Sequence, residues 1–138
     1  MTFVDICKKT QEELKVAIAE ELKAIGYEPI VEDGFVYARG DGNTPVLLTA
    51  HLDTVHKEPV KQIVIGDGVM SSPQGIGGDD RCGVWIATQV AKGTTMRPTI
   101  LFCEDEEIGS VGAEKFIKAE YSKEIETLKF FVELDRAN

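Results

Sequence analysis

The 138-residue chain holds 24 acidic and 15 basic side chains, a net charge of −9, with 43% hydrophobic and 28% charged residues. This balance suits one globular domain with its own core, and the acidity argues against nucleic acid or an anionic membrane as partner. No apolar run approaches the roughly 20 residues that span a bilayer, and the N-terminal MTFVDICKKTQEELK has no apolar signal-type segment.

Residues 10–25 form the clearest helix. Thr10 with Glu13 makes a capping box, Leu14, Val16, Ile18, Leu22 and Ile25 supply an apolar side, and Gly26 closes it. Residues 28–32 and 35–39 are short strands around Asp33-Gly34, a hairpin signal. Asp41-Gly42-Asn43 turns into a buried strand at 46–50, and 61–71 reads as a second hairpin turning at Asp67-Gly68. The glycine-rich loop of SPQGIGGDDRCGVWIATQVAKG leads through Asp79-Asp80 into a helix over about 80–92 that stops at Gly93. Residues 98–103 are a buried strand, 110–120 a helix, 121–126 a short helix and 128–134 a last strand. Strands alternating with helices predict a three-layer α/β sandwich, its mixed sheet centrally parallel and flanked by helices. The cysteines Cys7, Cys82 and Cys103 form no CxxC pair, and read as reduced thiols of a cytoplasmic protein.

Three of the predicted strands end alike. VLLTA runs into His51 and Asp53, which point the same way because strand side chains alternate. TILFC runs into Glu104-Asp105-Glu106-Glu107, and KFFVEL runs into Asp135. Open α/β sheets bind ligands beyond the carboxyl ends of their parallel strands, so these groups converge if the strands are parallel neighbours. Asp79-Asp80 adds a fourth contribution. Each has a plain structural reading: a satisfied histidine, a helix cap at Asp79 or Asp80, a solvated charge run, a turn aspartate. Together they favour a metal site, because carboxylates packed in one crevice repel unless a cation sits among them. An imidazole in the set suits Zn²⁺, Mn²⁺ or Co²⁺ better than Mg²⁺ or Ca²⁺. A Mg²⁺ pocket of the receiver or phosphatase kind fits His51 poorly, and GIGGDD is not the GxGxxG of a dinucleotide site.

HLDTV, GIGGDDRCGV and EDEEIGSVGA resemble, in order and spacing, the metal-binding motifs of the zinc-dependent M20/M28/M42 peptidase clan, nearest to its tripeptidase-like M20 enzymes. The resemblance covers most of residues 44–138. It implies hydrolysis of a peptide or amide bond in small peptides. His51 would ligate a first ion, with Asp53 orienting its imidazole. Asp79 would bridge to a second ion, with a cis peptide often joining it to the next aspartate. Glu107 would hold the second ion, Asp135 would complete the first, and Glu106 would be the general base. One or two Zn²⁺ are implied, with Co²⁺ or Mn²⁺ as alternatives. Members of the clan continue past the position of Asp135 with a lid or dimerisation domain and a further histidine ligand. Residues 1–138 are therefore expected to be one partial catalytic domain, without that lid. It would be a homo-oligomer or joined by a partner chain that supplies the missing half. A weakened or inactive metal-binding or partner-binding relative is the alternative.

Overall fold

A computed structural model describes residues 1–137. Five strands form one mixed sheet in the order β1-β2-β6-β3-β7: β1 (Ile30–Glu32), β2 (Phe35–Ala38), β3 (Val46–His51), β6 (Thr99–Cys103) and β7 (Phe130–Glu133). β1 and β2 are the expected hairpin, and β2 runs antiparallel to β6. β6, β3 and β7 are mutually parallel, with His51 beside Cys103 and Thr49 beside Glu133. All three therefore end on one edge of the sheet. The second expected hairpin, β4 (Val64–Gly66) with β5 (Val69–Ser71), stands apart as a two-stranded sheet.

Helices cover both faces of the sheet except at β7. On one side, α1 (Phe3–Cys7), α2 (Gln11–Ala24) and α3 (Gly78–Gly93) pack over Val36, Ala38, Leu48, Ala50, Ile100 and Phe102. On the other, α4 (Val111–Lys118) and the single turn α5 (Ser122–Ile125) lie over Phe35, Tyr37, Leu47 and Leu101, with Phe116 edge-on to Phe35. This is the α/β sandwich that the alternation of elements predicts.

Helix α2 has its capping box: the Glu13 N–H donates to Thr10 Oγ1 at 3.1 Å and the Thr10 N–H to Glu13 Oε2 at 2.9 Å. Leu14, Ile18 and Leu22 recur every fourth residue and are fully buried, each contributing about 1.5–3 kcal/mol. Val16 does not share that face: it is two positions from Leu14, about 200° round the helix, and lies exposed. Helix α1 has no counterpart in the sequence reading. It is five residues long, too short for a periodic signal, yet Thr2 and Asp5 give it a capping box of its own.

Candidate metal centre

The centre is assembled at the shared carboxyl edge of β3, β6 and β7. His51, the last residue of β3, is 4% exposed. Its Nδ1 lies 3.0 Å from Asp53 Oδ1 and 3.1 Å from the Asp53 carbonyl oxygen. Its Nε2 faces three other carboxylates: Asp79 Oδ1 at 3.2 Å, Asp135 Oδ2 at 3.7 Å and Glu106 Oε2 at 3.8 Å. Two sets of donor atoms lie mutually within 4.8 Å, His51 with Asp79 and Asp135, and His51 with Glu106 and Glu107. The four carboxylates expected as ligands or base thus surround the His51 imidazole, although no such set among the described residues joins Glu107 directly to Asp79.

Asp53 holds more than the imidazole. Its Oδ1 accepts the Glu106 N–H at 3.0 Å and its Oδ2 the Glu107 N–H at 2.9 Å. One carboxylate therefore fixes the end of β3 to the loop after β6. The Asp105 backbone preceding that pair has φ 56°, and its carboxylate and N–H both bond the Gln11 side chain.

The two consecutive aspartates divide their roles. The Asp79–Asp80 peptide is cis, and both residues depart from helical geometry at the start of α3. Asp80 is 2% exposed. Its Oδ1 accepts the Gly83 N–H at 3.0 Å and its Oδ2 the His51 N–H at 3.1 Å. The capping reading therefore holds for Asp80, which anchors the helix to β3. Asp79 instead turns its carboxylate to the imidazole. Glu104 leaves the acidic run in the same way: buried, it pairs with Lys15 and accepts the Gly34 N–H at 3.0 Å. Sequence reasoning missed how Asp80 ties to His51 and Glu104 to Gly34 and Lys15, because those groups are 29 to 89 residues away.

Close backbone approach completes the frame. A Cβ on Gly83 would meet the Leu134 carbonyl oxygen at 1.9 Å and Asp80 Oδ1 at 2.2 Å. Only glycine lets α3 press against the segment that carries Asp135. Asp79, Glu107 and Asp135 line a cleft of about 730 Å³, together with Cys82, Ile86 and Arg136. His56, in neither donor set, rests its ring on Gly75 of the glycine-rich loop.

The electrostatics leave room for a cation. Three carboxylates crowd Nε2, and the basic side chain paired with them is Arg136, 3.6 Å from Asp79 and largely exposed. Burial resists charge on His51, but the Asp53 hydrogen bond and the charges of Asp53, Asp80 and Asp135 win, pushing its pKa up to about 9. Burial likewise pushes Asp80 up to about 7. Crowding of this kind is relieved by a positive ion, and carboxylates around an imidazole are a borderline-metal donor set. The residues present fit a divalent ion.

Residues 36–138 match the family model described as Peptidase family M28, and the chain belongs to that family. Among solved structures it is similar to aminopeptidase PepT from Bacillus cereus, with 26% identity, a TM-score of 0.72, and coverage of 99% of this chain and 42% of that one. It is also similar to a tripeptidase from Staphylococcus aureus (23% identity, TM-score 0.73, 99% and 42% coverage) and to human carnosine dipeptidase 1 (17%, 0.67, 99% and 37%). At those identities the last two speak to fold alone. The chain spans less than half the length of these proteins. Comparison with curated proteins gives no significant match. No helix among the described residues is long and apolar enough to cross a membrane.

Proposed function

We propose that residues 1–138 form part of the catalytic domain of a metal-dependent exopeptidase that acts on small peptides. The observation that carries this is the placement of His51: Asp53 holds one ring nitrogen, while Asp79 and Asp135 flank the other. His51, Asp79 and Asp135 would hold a first ion, and Asp79 with Glu107 would begin the shell of a second. Zn²⁺ suits this set best, with Co²⁺ or Mn²⁺ as substitutes. When bound, such an ion acidifies water and polarises the scissile carbonyl.

The chain's own residues do the rest. Asp53 fixes the imidazole orientation and raises its basicity. The same carboxylate pins the backbone of Glu106 and Glu107, so adjacent side chains are presented from a rigid support. Glu106, half-exposed beside Nε2, would take the proton of the attacking water and later deliver it to the leaving amine. The cleft beside Asp79, Glu107 and Asp135 would receive the peptide. A family match over residues 36–138 and the likeness to PepT support the peptide substrate. Free cysteines, with Cys7 and Cys103 buried, fit a cytoplasmic setting.

One observation favours a second reading, a metal- or partner-binding chain with little turnover of its own. Among the described residues the second ion has Asp79 and Glu107, and no donor set joins the two. Metal content per chain, measured together with hydrolysis of di- and tripeptides, separates the two. The peptidase reading expects chelator-sensitive turnover that Zn²⁺ restores. Bound metal without turnover favours the second. Metal retention unaffected by His51→Ala would sink both.

A further inference from the structure

The chain has two histidines, and the donor sets around His51 leave His56 unused. His56 stands in the loop after β3 and lays its ring on the glycine-rich loop that leads to Asp79. A Cβ on Gly75 would meet its Cε1 at 2.5 Å and its Nε2 at 2.6 Å, and one on Gly77 would meet its Cδ2 at 3.7 Å. Both glycines have positive φ, 91° and 69°, so no side chain competes for the place the imidazole takes. The His56 N–H donates to Thr54 Oγ1 at 3.3 Å, which steadies the backbone beneath the ring. The ring is seated but has nothing to hold. Among the described residues neither ring nitrogen makes a hydrogen bond or an ion pair, and neither is sealed from solvent.

His56 lines the same 730 Å³ cleft as Asp79, Glu107 and Asp135. Asp80 and Glu133 add two further carboxyls to that lining, and Arg136 is its other basic side chain. Arg136 already stands 3.6 Å from Asp79. A small peptide brings an ammonium at one end and a carboxylate at the other. The acidic wall repels the carboxylate. His56 is the basic side chain of the lining that has no acid paired with it, and an imidazole donates an N–H in either protonation state. A hydrogen bond from it to a carboxylate is charge-assisted.

We propose that His56 is a specificity-determining residue that donates a hydrogen bond to the C-terminal carboxylate of a small peptide in this cleft, an inference that rests on the peptidase reading. It gives the cleft a preference for a free carboxyl end over an amidated one.

The test is proton–carbon NMR of the two histidine rings in the full chain saturated with Zn²⁺, carrying Glu106→Gln so that the peptide is not consumed. His56→Ala removes one ring resonance and so assigns both. Glycylglycine should shift the His56 resonance saturably, and glycylglycinamide should leave it still. His56→Ala should weaken glycylglycine binding several-fold and leave the amide unaffected, with Zn²⁺ affinity unchanged, and His56→Gln, which keeps a donor, should recover part of the loss. Glycylglycine that moves the His51 resonance but not that of His56 would overturn the proposal and keep the peptidase reading. So would an equal loss for both ligands in His56→Ala, or a matching fall in Zn²⁺ affinity, which would make His56 a support of the Asp79 loop. If neither ligand moves either resonance, the proposal and the peptide-binding reading fall together.

Discussion

Asp53 grips the imidazole of His51 at 3.0 Å while accepting the backbone N–H groups of Glu106 and Glu107. A single carboxylate therefore sets both the orientation of the buried imidazole and the position of the two glutamates. Asp53→Asn keeps the size of the side chain but cannot accept at both oxygens, and removes the charge. It should weaken Zn²⁺ binding about 10–100-fold, read by competition with a chromophoric chelator. Unchanged affinity would show that Asp53 only braces the loop.

Glu106→Gln separates proton transfer from metal holding. The amide keeps an oxygen near Nε2 but cannot take a proton. Zn²⁺ content should stay at the wild-type level while tripeptide turnover falls by about 10²–10⁴-fold. Retained turnover would remove Glu106 from the role of base.

Gly83→Ala tests the frame rather than the chemistry. The new methyl would overlap the Leu134 carbonyl, which belongs to backbone and cannot swing aside. About 1–3 kcal/mol of stability should be lost, together with metal affinity, because Asp80 and Asp135 are displaced. Gly93→Ala, where a Cβ meets nothing within 4 Å, should stay within about 0.5 kcal/mol of wild type. Thermal unfolding of the two variants with and without Zn²⁺ gives the comparison.

Most of this frame was legible because it rests on local signals. The four-residue spacing of Leu14, Ile18 and Leu22, the Thr10 capping box and the Asp33-Gly34 turn all act within a few residues. The site was legible for a topological reason: parallel strands put their carboxyl ends on one edge, so His51, Glu106, Glu107 and Asp135 had to meet once β3, β6 and β7 ran parallel. What escaped is what tertiary contact decides. Nothing local distinguishes Asp79 from Asp80, or Glu104 from its acidic neighbours; the difference is whether His51, Gly83 or Lys15 stands opposite. Arg81 read as part of a motif, and only the packing of α1 shows that it bonds the carbonyls of Ile6 and Lys9.

Glu21 joins separate elements and makes stability depend on pH. Its carboxylate bonds the N-terminal ammonium at 2.8 Å and pairs with Lys92 at the end of α3. Burial favours the neutral acid, but hydrogen bonds and charge from Lys92 and the ammonium outweigh it, holding the pKa below the ordinary 4.5. A carboxyl lowered on folding contributes stability above its unfolded value, and loses it as pH falls through the folded one. Glu21→Gln should therefore cost about 1 kcal/mol at neutral pH. The gap to wild type should narrow in unfolding curves taken below pH 4.5. A gap that stays constant with pH would mean the ionised form is not favoured by folding.

β7 ends the strand order, and its four residues are exposed throughout. Phe130 is 61% exposed and Phe131 59%. Successive residues on a strand face opposite ways, so apolar surface lies on both sides of a sheet edge whose outer N–H and C=O groups have no strand partner among the described residues. Edges of this kind pair with other chains. The 138-residue chain should self-associate with rising concentration in sedimentation velocity. Phe131→Lys places a charge on that edge and should shift the distribution toward monomer without lowering the unfolding temperature, since Phe131 contributes little to the core. A chain that sediments as monomer at every concentration would show that twist or flanking charge already protects the edge.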